Sequence, residues 1–448
     1  YTTTQTISGN ITGASLFTLS QSGSSGGTPT FVLSGASNSF SGGLTVTSGN
    51  LQAAGSSSTV FGSGVLTVSG GGNVTASSTT TGISVSGIAG NGNITLTNGN
   101  NNAITMTFTG SGTNSFSGTI TGLGSLVMNG SGRQIIYGTG NYSGTTTVNY
   151  GMLQFGSATS LYNGVTTSWT TTNISVAAGA TLAVNYGGAS DFSATNVSLL
   201  ISQLGASTGG FASGSYLGFD VSRASSSAAT YSNVITDTYS GTHALGINVI
   251  SGTLTLLPLS SDPTPVNTSN TFTGNILLTG GTLSLGNPGA IGTTGTLIFN
   301  GGILQFTSSN TTDYSARFSH NAGQSFNIDT NGQVVTLGSS IQSSSGNLTK
   351  IGSGTLILSG ANTYNGVTQI NSGGTLKLGA SNAIADASDM YILGTFDLNG
   401  YSDSVDEIYG SGLITNSSVS SSSTLTVGAN NGTNTYTGTI TDASGVYP

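Results

Sequence analysis

The sequence contains no cysteine. Disulfides cannot hold it together, which is unusual for a long extracellular chain and compatible with export in an unfolded state. Charge is scarce as well: 4% of the 448 residues are Asp, Glu, Lys or Arg, where about a quarter is ordinary. Only five are Lys or Arg, against 13 acidic residues, for a net charge of -8. That excludes a nucleic-acid partner, because neutralising phosphates takes clustered Lys and Arg. Long hydrophobic runs are missing too, and nothing approaches the ~20 residues of a membrane-spanning helix. Low hydrophobicity with high net charge would mark disorder, but 35% of the residues are hydrophobic. What remains is a β-protein surfaced with Ser, Thr and Asn, which hydrogen-bond without carrying charge.

What is present is repetition. Residues 348–378 read LTKIGSGTLILSGANTYNGVTQINSGGTLKL. Three short apolar runs, at 355–358, 367–370 and 375–378, have their Leu, Ile and Val spaced by two. Gly, Asn and Ser punctuate the gaps, as between brief half-buried strands. An aromatic with Asn two residues before and Gly two after occurs at Asn362, Tyr364 and Gly366. It recurs at Asn38, Phe40 and Gly42, at Asn114, Phe116 and Gly118, at Asn270, Phe272 and Gly274, and at Asn434, Tyr436 and Gly438. A shortened form is Asn141, Tyr142 and Gly144. A leucine block follows at a near-constant step: Phe40 to Leu51, Tyr142 to Leu153, Phe272 to Leu283, Tyr364 to Leu376. Two blocks at fixed offset, several times over, are an internal repeat.

The pair GxGTLxLSGxNTYxG…GGTLxLG resembles the autotransporter-associated (passenger-associated) β-strand repeat of secreted bacterial proteins. Residues 352–379 carry the resemblance closely; 31–54, 108–156 and 253–286 carry it more loosely. It implies a right-handed parallel β-helix, exported and displayed outside the cell. It implies no single activity. At roughly 20 to 29 residues per coil, about 15 to 22 coils are expected, and strands about 4.8 Å apart give a rod on the order of 70 to 110 Å.

The expected organisation is one continuous rod. Residues 1–156 form N-terminal solenoid repeats, 157–260 form irregular coils, and 261–448 form C-terminal solenoid repeats. The irregular part holds Trp169 and one short helix near 193–204, where Val197, Leu200, Ile201 and Leu204 make one helical face. Ser193 or Thr195 caps its start and Gly205 ends it. Asp262, Pro263 and Pro265 mark a break, since proline cannot feed a central ladder. The pairs Asn91–Gly92, Asn98–Gly99 and Asn129–Gly130 are expected to supply positive-φ turn positions.

Chemistry is sparse. Glycoside hydrolysis needs two nearby carboxylates, one with a raised pKa. Glu407 is the one glutamate. Asp386, Asp389, Asp397, Asp403, Asp406 and Glu407 form the densest acidic stretch, read as a solvated turn cluster. His243 and His320 are isolated, with no second His or Cys at metal spacing. Asp313, Arg317 and His320 suggest a salt-bridged turn. Phosphate-loop and calcium-nonapeptide patterns are absent. Sequons such as Asn10–Thr12, Asn73–Thr75 and Asn173–Ser175 arise readily in so Asn-, Ser- and Thr-rich a chain. The repeated aromatics are read as corner packing, with a sugar-stacking stripe as the alternative. No catalytic, cofactor or metal residue is assigned.

The chain starts at Tyr1 without a charged-then-apolar leader, so a mature or trimmed product is expected. Residues 1–7 and 435–440 read as uncapped strands, which predicts end-to-end self-association into a filament. The function expected is a non-enzymatic extracellular structural rod at a bacterial surface or in a matrix. The alternative is an adhesin that binds glycans, extracellular matrix or a cell surface through residues 169–239.

Overall fold

The computed structural model describes residues 4–20, 29–239, 241–260, 266–428 and 433–442. The described residues form all-β parallel solenoid coils, about 19 turns with one α-helix. Paired positions on successive coils lie 19 residues apart between Gln134 and Leu153 and 29 apart between Leu153 and Leu182. Coil length varies because the corners between strands absorb insertions. The proposed break at Asp262–Pro265 lies outside the described residues.

The chain divides into two compact units, Tyr1–Phe219 with Thr236–Leu245, and Asp220–Ile235 with Gly246–Pro448. In the first, an inner ladder runs Leu51, Val74, Ile94, Ile120, every member at most 1% exposed. In the second, Leu254, Leu283, Leu304 and Ile328 form the equivalent ladder. Strand burial alternates inward and outward, as in Gly374–Leu378. Each buried aliphatic side chain contributes roughly 1.5–3 kcal/mol, so a thin column suffices for a chain with few apolar residues.

The repeat motif has a part for each residue. The Asn38 side chain accepts the Ile11 N–H at 2.7 Å, one coil back, and donates to the Val60 carbonyl at 2.6 Å, one coil ahead. Asn270 does the same between Ile235 and Ala290, and Asn362 between Ile341 and Ala383. In the block at Asn114, Gln134 of the next coil takes over, accepting from the Ile88 N–H and donating to its carbonyl. Phe40, Phe272 and Tyr364 are buried in the corners and Phe116 at the end of a strand, while Tyr436 is half-buried. The glycine lets one coil lie close on the last. A β-carbon on Gly118 would sit 1.8 Å from the Gly92 carbonyl oxygen, and one on Gly438 2.1 Å from that of Gly412.

The same close approach corrects the turn expectation. Gly92, Gly99 and Gly130 do not have positive φ. Gly92 and Gly130 are glycine because a β-carbon would come 2.3 Å from the Ser69 oxygen and 2.1 Å from the Gly110 oxygen. Positive φ falls instead on Gly90 and Asn101.

The helix forms over Ala194–Gln203. Ser193, not Thr195, caps it: its Oγ accepts the Asn196 N–H while Asn196 Oδ1 accepts the Ser193 N–H, a reciprocal capping box. Val197, Leu200, Ile201 and Leu204 are buried, as their spacing predicts. The C-cap is Leu204. Gly205 follows because a β-carbon there would meet the Tyr239 backbone nitrogen at 2.4 Å.

Candidate functional site

The acidic stretch comes apart into three settings. Asp403 is buried: its Oδ2 accepts the N–H groups of Ala383 and Ile384, and Oδ1 that of Ser404. Burial outweighs these bonds and raises its carboxyl. This corrects the reading of a solvated turn cluster. Asp397 lies opposite Lys377 in the ladder and pairs with its Nζ at 3.1 Å. Burial pushes the Asp397 carboxyl up, but bonds from Ser417, Lys377 and Asn399 hold it below the usual range. Asp389, Asp406 and Glu407 remain partly exposed. Partial burial, with Glu407 and Asp406 nearby, raises the Asp389 carboxyl. Glu407 accepts from the Asn434 side chain. Among the described residues no group of three or more His, Asp or Glu is arranged to hold a metal ion.

The salt-bridged turn at Asp313 and Arg317 is also corrected. The Arg317 guanidinium donates to the carbonyls of Ile291, Gly292, Thr294 and Gly295, one coil back. Asp313 accepts from the Ser315 N–H and Oγ and from the Gly338 N–H. Each charge is spent on a turn, not on the other. Beside Arg317, a groove of about 410 Å³ is lined by Asn275, Thr296, Ile298, Phe318, His320 and Asn321 among others. His320 lies exposed at this groove.

Trp169 is buried, packs 5.7 Å from Phe192, and donates Nε1–H to the Leu161 carbonyl. His243 Nδ1 lies 3.2 Å from the Phe211 carbonyl, and its ring packs 4.9 Å from Tyr239.

Phe40, Phe116, Phe272 and Tyr364 are buried and Tyr436 half-buried, which favours packing over a sugar-stacking stripe. Tyr364 donates or accepts at Thr368 Oγ1, 2.8 Å away, and burial drives its hydroxyl well above the usual range. Tyr391 and Tyr409 stack 4.8 Å apart on adjacent coils, so each spends one face on the other.

One group escaped the sequence reading. Lys350 sits in the inner ladder between Ile328 and Ile370 and is 0% exposed. Its Nζ donates to the carbonyls of Ile351, Gly352 and Ser353. Burial lowers its ammonium to about 8 against a weaker opposing pull from Asp329. The signal was available: counting by two from inward Leu348 points Lys350 inward.

Stacked parallel coils of this kind place the chain in the class of β-solenoids. More particularly, it carries three copies of the passenger-associated-transport repeat, at residues 26–53, 126–155 and 348–378. The looser stretch 253–286 is not among the matched residues. The chain is also similar to the "Adhesin BmaC autotransporter" of Brucella suis biovar 1 (strain 1330). The two are 37% identical over 131 residues, which is 27% of this chain and 4% of that relative. The chain thus spans about 4% of the length of the curated relative it matches. No solved structure matches it.

Proposed function

We propose that this chain is a non-enzymatic structural segment of a bacterial cell-surface or secreted protein, a stiff run of coils that extends and spaces what it joins. One observation carries the reading: in the blocks at Asn38, Asn270 and Asn362 the residue types that make the repeat recognisable are consumed in holding one coil to the next. The asparagine bonds both neighbours, the aromatic fills the corner, and the glycine admits the backbone. A repeat whose special residues all face along its own stack is built to be long. Such segments tolerate changes in coil number because each coil contacts mainly its neighbours. Excising one repeat unit, residues 354–373, joins Ser353 to Gly374 in the register that pairs Gly354 with Gly374. The shortened protein should keep its β-sheet circular dichroism and cooperative melting. Loss of folding on that excision would overturn the reading.

The finer reading is end-to-end association of copies into a filament by strand addition. Electron microscopy across a concentration series tests it, with long unbranched fibres expected and monodisperse particles at every concentration against it.

An adhesive role is the second reading, favoured by the named relative. It would place glycans or extracellular matrix as partners of the segment between Trp169 and Tyr239. Binding to a glycan or matrix array that is lost on deleting residues 190–245 would support it over a purely structural role.

A further inference from the structure

Asparagine followed by glycine is the dipeptide most prone to lose its side-chain amide. Glycine leaves the backbone nitrogen unhindered, and that nitrogen is the nucleophile. It loses its proton to solvent and attacks the asparagine Cγ, expelling ammonia. Water then opens the cyclic imide to aspartate or isoaspartate. The balance is one water consumed and one ammonia released, with no oxidant or reductant. The step needs two freedoms: a glycine N–H not already bonded, and a side-chain amide able to swing over it.

The described residues contain eight Asn-Gly pairs. In six the fold has taken the nucleophile. The Gly92 N–H donates to the Val68 carbonyl, Gly130 to Phe108, Gly164 to Leu161, Gly332 to Ser353 and Gly366 to Gly346. Gly400 donates to Asn416 Oδ1 at 2.8 Å. A seventh, Asn98–Gly99, is blocked at the other partner. Asn98 is buried, its Oδ1 accepts from Asn100 and Asn102, and its Nδ2 donates to Ser78 and Thr80.

The eighth is Asn300–Gly301. It lies at the corner between the strands Leu297–Phe299 and Ile303–Gln305. The N–H groups on either side, of Asn300 and Gly302, both donate to the Leu278 carbonyl, and the Gly301 N–H between them makes no hydrogen bond. The Asn300 side chain is exposed and makes none either. Gly301 has φ 104, a conformation that requires glycine, so the vulnerable dipeptide is fixed by the turn.

We propose that Asn300 is this protein's site of spontaneous modification, converting to aspartate and isoaspartate while the other described Asn-Gly pairs are protected by hydrogen bonds within their turns or to neighbouring coils. Each conversion adds a negative charge at that corner. The isoaspartyl product also inserts an extra backbone carbon between two consecutive strands of the coil.

The test is to hold the full chain in mildly alkaline buffer at body temperature and map peptides by mass spectrometry with isoaspartate detection. The same incubation is run in concentrated urea. In the native protein, conversion at Asn300 should run at least about tenfold faster than at Asn91, Asn129, Asn163, Asn331, Asn365 and Asn399, the factor one backbone hydrogen bond supplies. In urea the pairs should converge to within a few-fold, and Asn300→Gln should abolish the early acidic species. Native conversion at Asn163 or Asn331 as fast as at Asn300 would overturn the proposal. So would an Asn300 preference that persists in urea, since the local sequence would then be its cause.

Discussion

The side-chain amide of Asn362 donates to the carbonyl of Ala383, one coil further on, at 2.6 Å. Its oxygen takes the Ile341 N–H, one coil back, at the same distance. One short side chain therefore bonds three coils at a buried corner. Asn362→Ala leaves a buried donor and a buried acceptor without partners, at about 1–3 kcal/mol each. The expected loss is roughly 2–6 kcal/mol, concentrated in residues 341–383. Native-state hydrogen exchange at the Ile341 amide reads it directly. Unchanged protection there would show that the bridge contributes nothing.

Glycine spacing makes a second, sharper contrast. A β-carbon on Gly412 would stand 2.2 Å from the Gly394 carbonyl oxygen, whereas one on Gly112 meets nothing within 4 Å. Gly412→Ala must push two coils apart and should cost about 1–3 kcal/mol. Gly112→Ala should lie within about 0.5 kcal/mol of the parent, or gain slightly from a stiffer unfolded chain. Thermal melting of the two variants side by side gives the comparison, and equal destabilisation would sink it.

These two positions also show what the sequence could tell. The repeat was legible because stacking makes the same demand on every coil: a bridge, a corner filler and a bare backbone. The helix was legible because Val197, Leu200, Ile201 and Leu204 follow a local period. Roles that depend on a neighbour one coil away were not legible. Arg317 finds its carbonyls at 291–295, and Asp403 finds Ala383 and Ile384. With coil steps ranging from 18 residues, between Thr395 and Leu413, to 35, between Val176 and Phe211, no fixed offset points to such partners. The pairs at Gly92, Gly99 and Gly130 misled for another reason, while Gly164, Gly301, Gly332 and Gly400 do have positive φ. A glycine needed for positive φ and one needed for close approach look identical in a sequence.

Lys350 should give the protein a basic-side pH response. Burial lowers its ammonium to about 8 from 10.5. Between those values the unfolded chain holds more protons than the folded one, so stability rises with pH across the window. Below pH 8 the full cost of burying the charge is present. The rise is on the order of 2 kcal/mol. Tyr162, pushed up to about 12 by burial, acts in the opposite sense above pH 10, so pH 8 to 10 is the clean range. Lys350→Met should flatten the slope there, whatever it does to absolute stability through the three carbonyls it abandons. A parent profile already flat from pH 8 to 10 would contradict the buried charge.

Arg317 and Asp313 stand four residues apart with opposite charges, yet neither is the other's partner. The guanidinium gathers four carbonyls of the 291–295 turn, and the carboxylate organises Ser315 and Gly338. Two independent clamps should be additive. Arg317→Ala should cost about 1–3 kcal/mol, because a forked, charge-assisted donor set is lost from partly buried carbonyls. Arg317→Lys should recover only part, since an ammonium cannot reproduce the planar fork. Asp313→Ala should cost about 1–3 kcal/mol through its own backbone bonds. The double variant should equal the sum within about 0.5 kcal/mol. A coupling well above that would restore the salt bridge that the charges alone suggest. Near-zero coupling would mean that the few charges unit 2 spends here go into turn geometry, as its asparagines do.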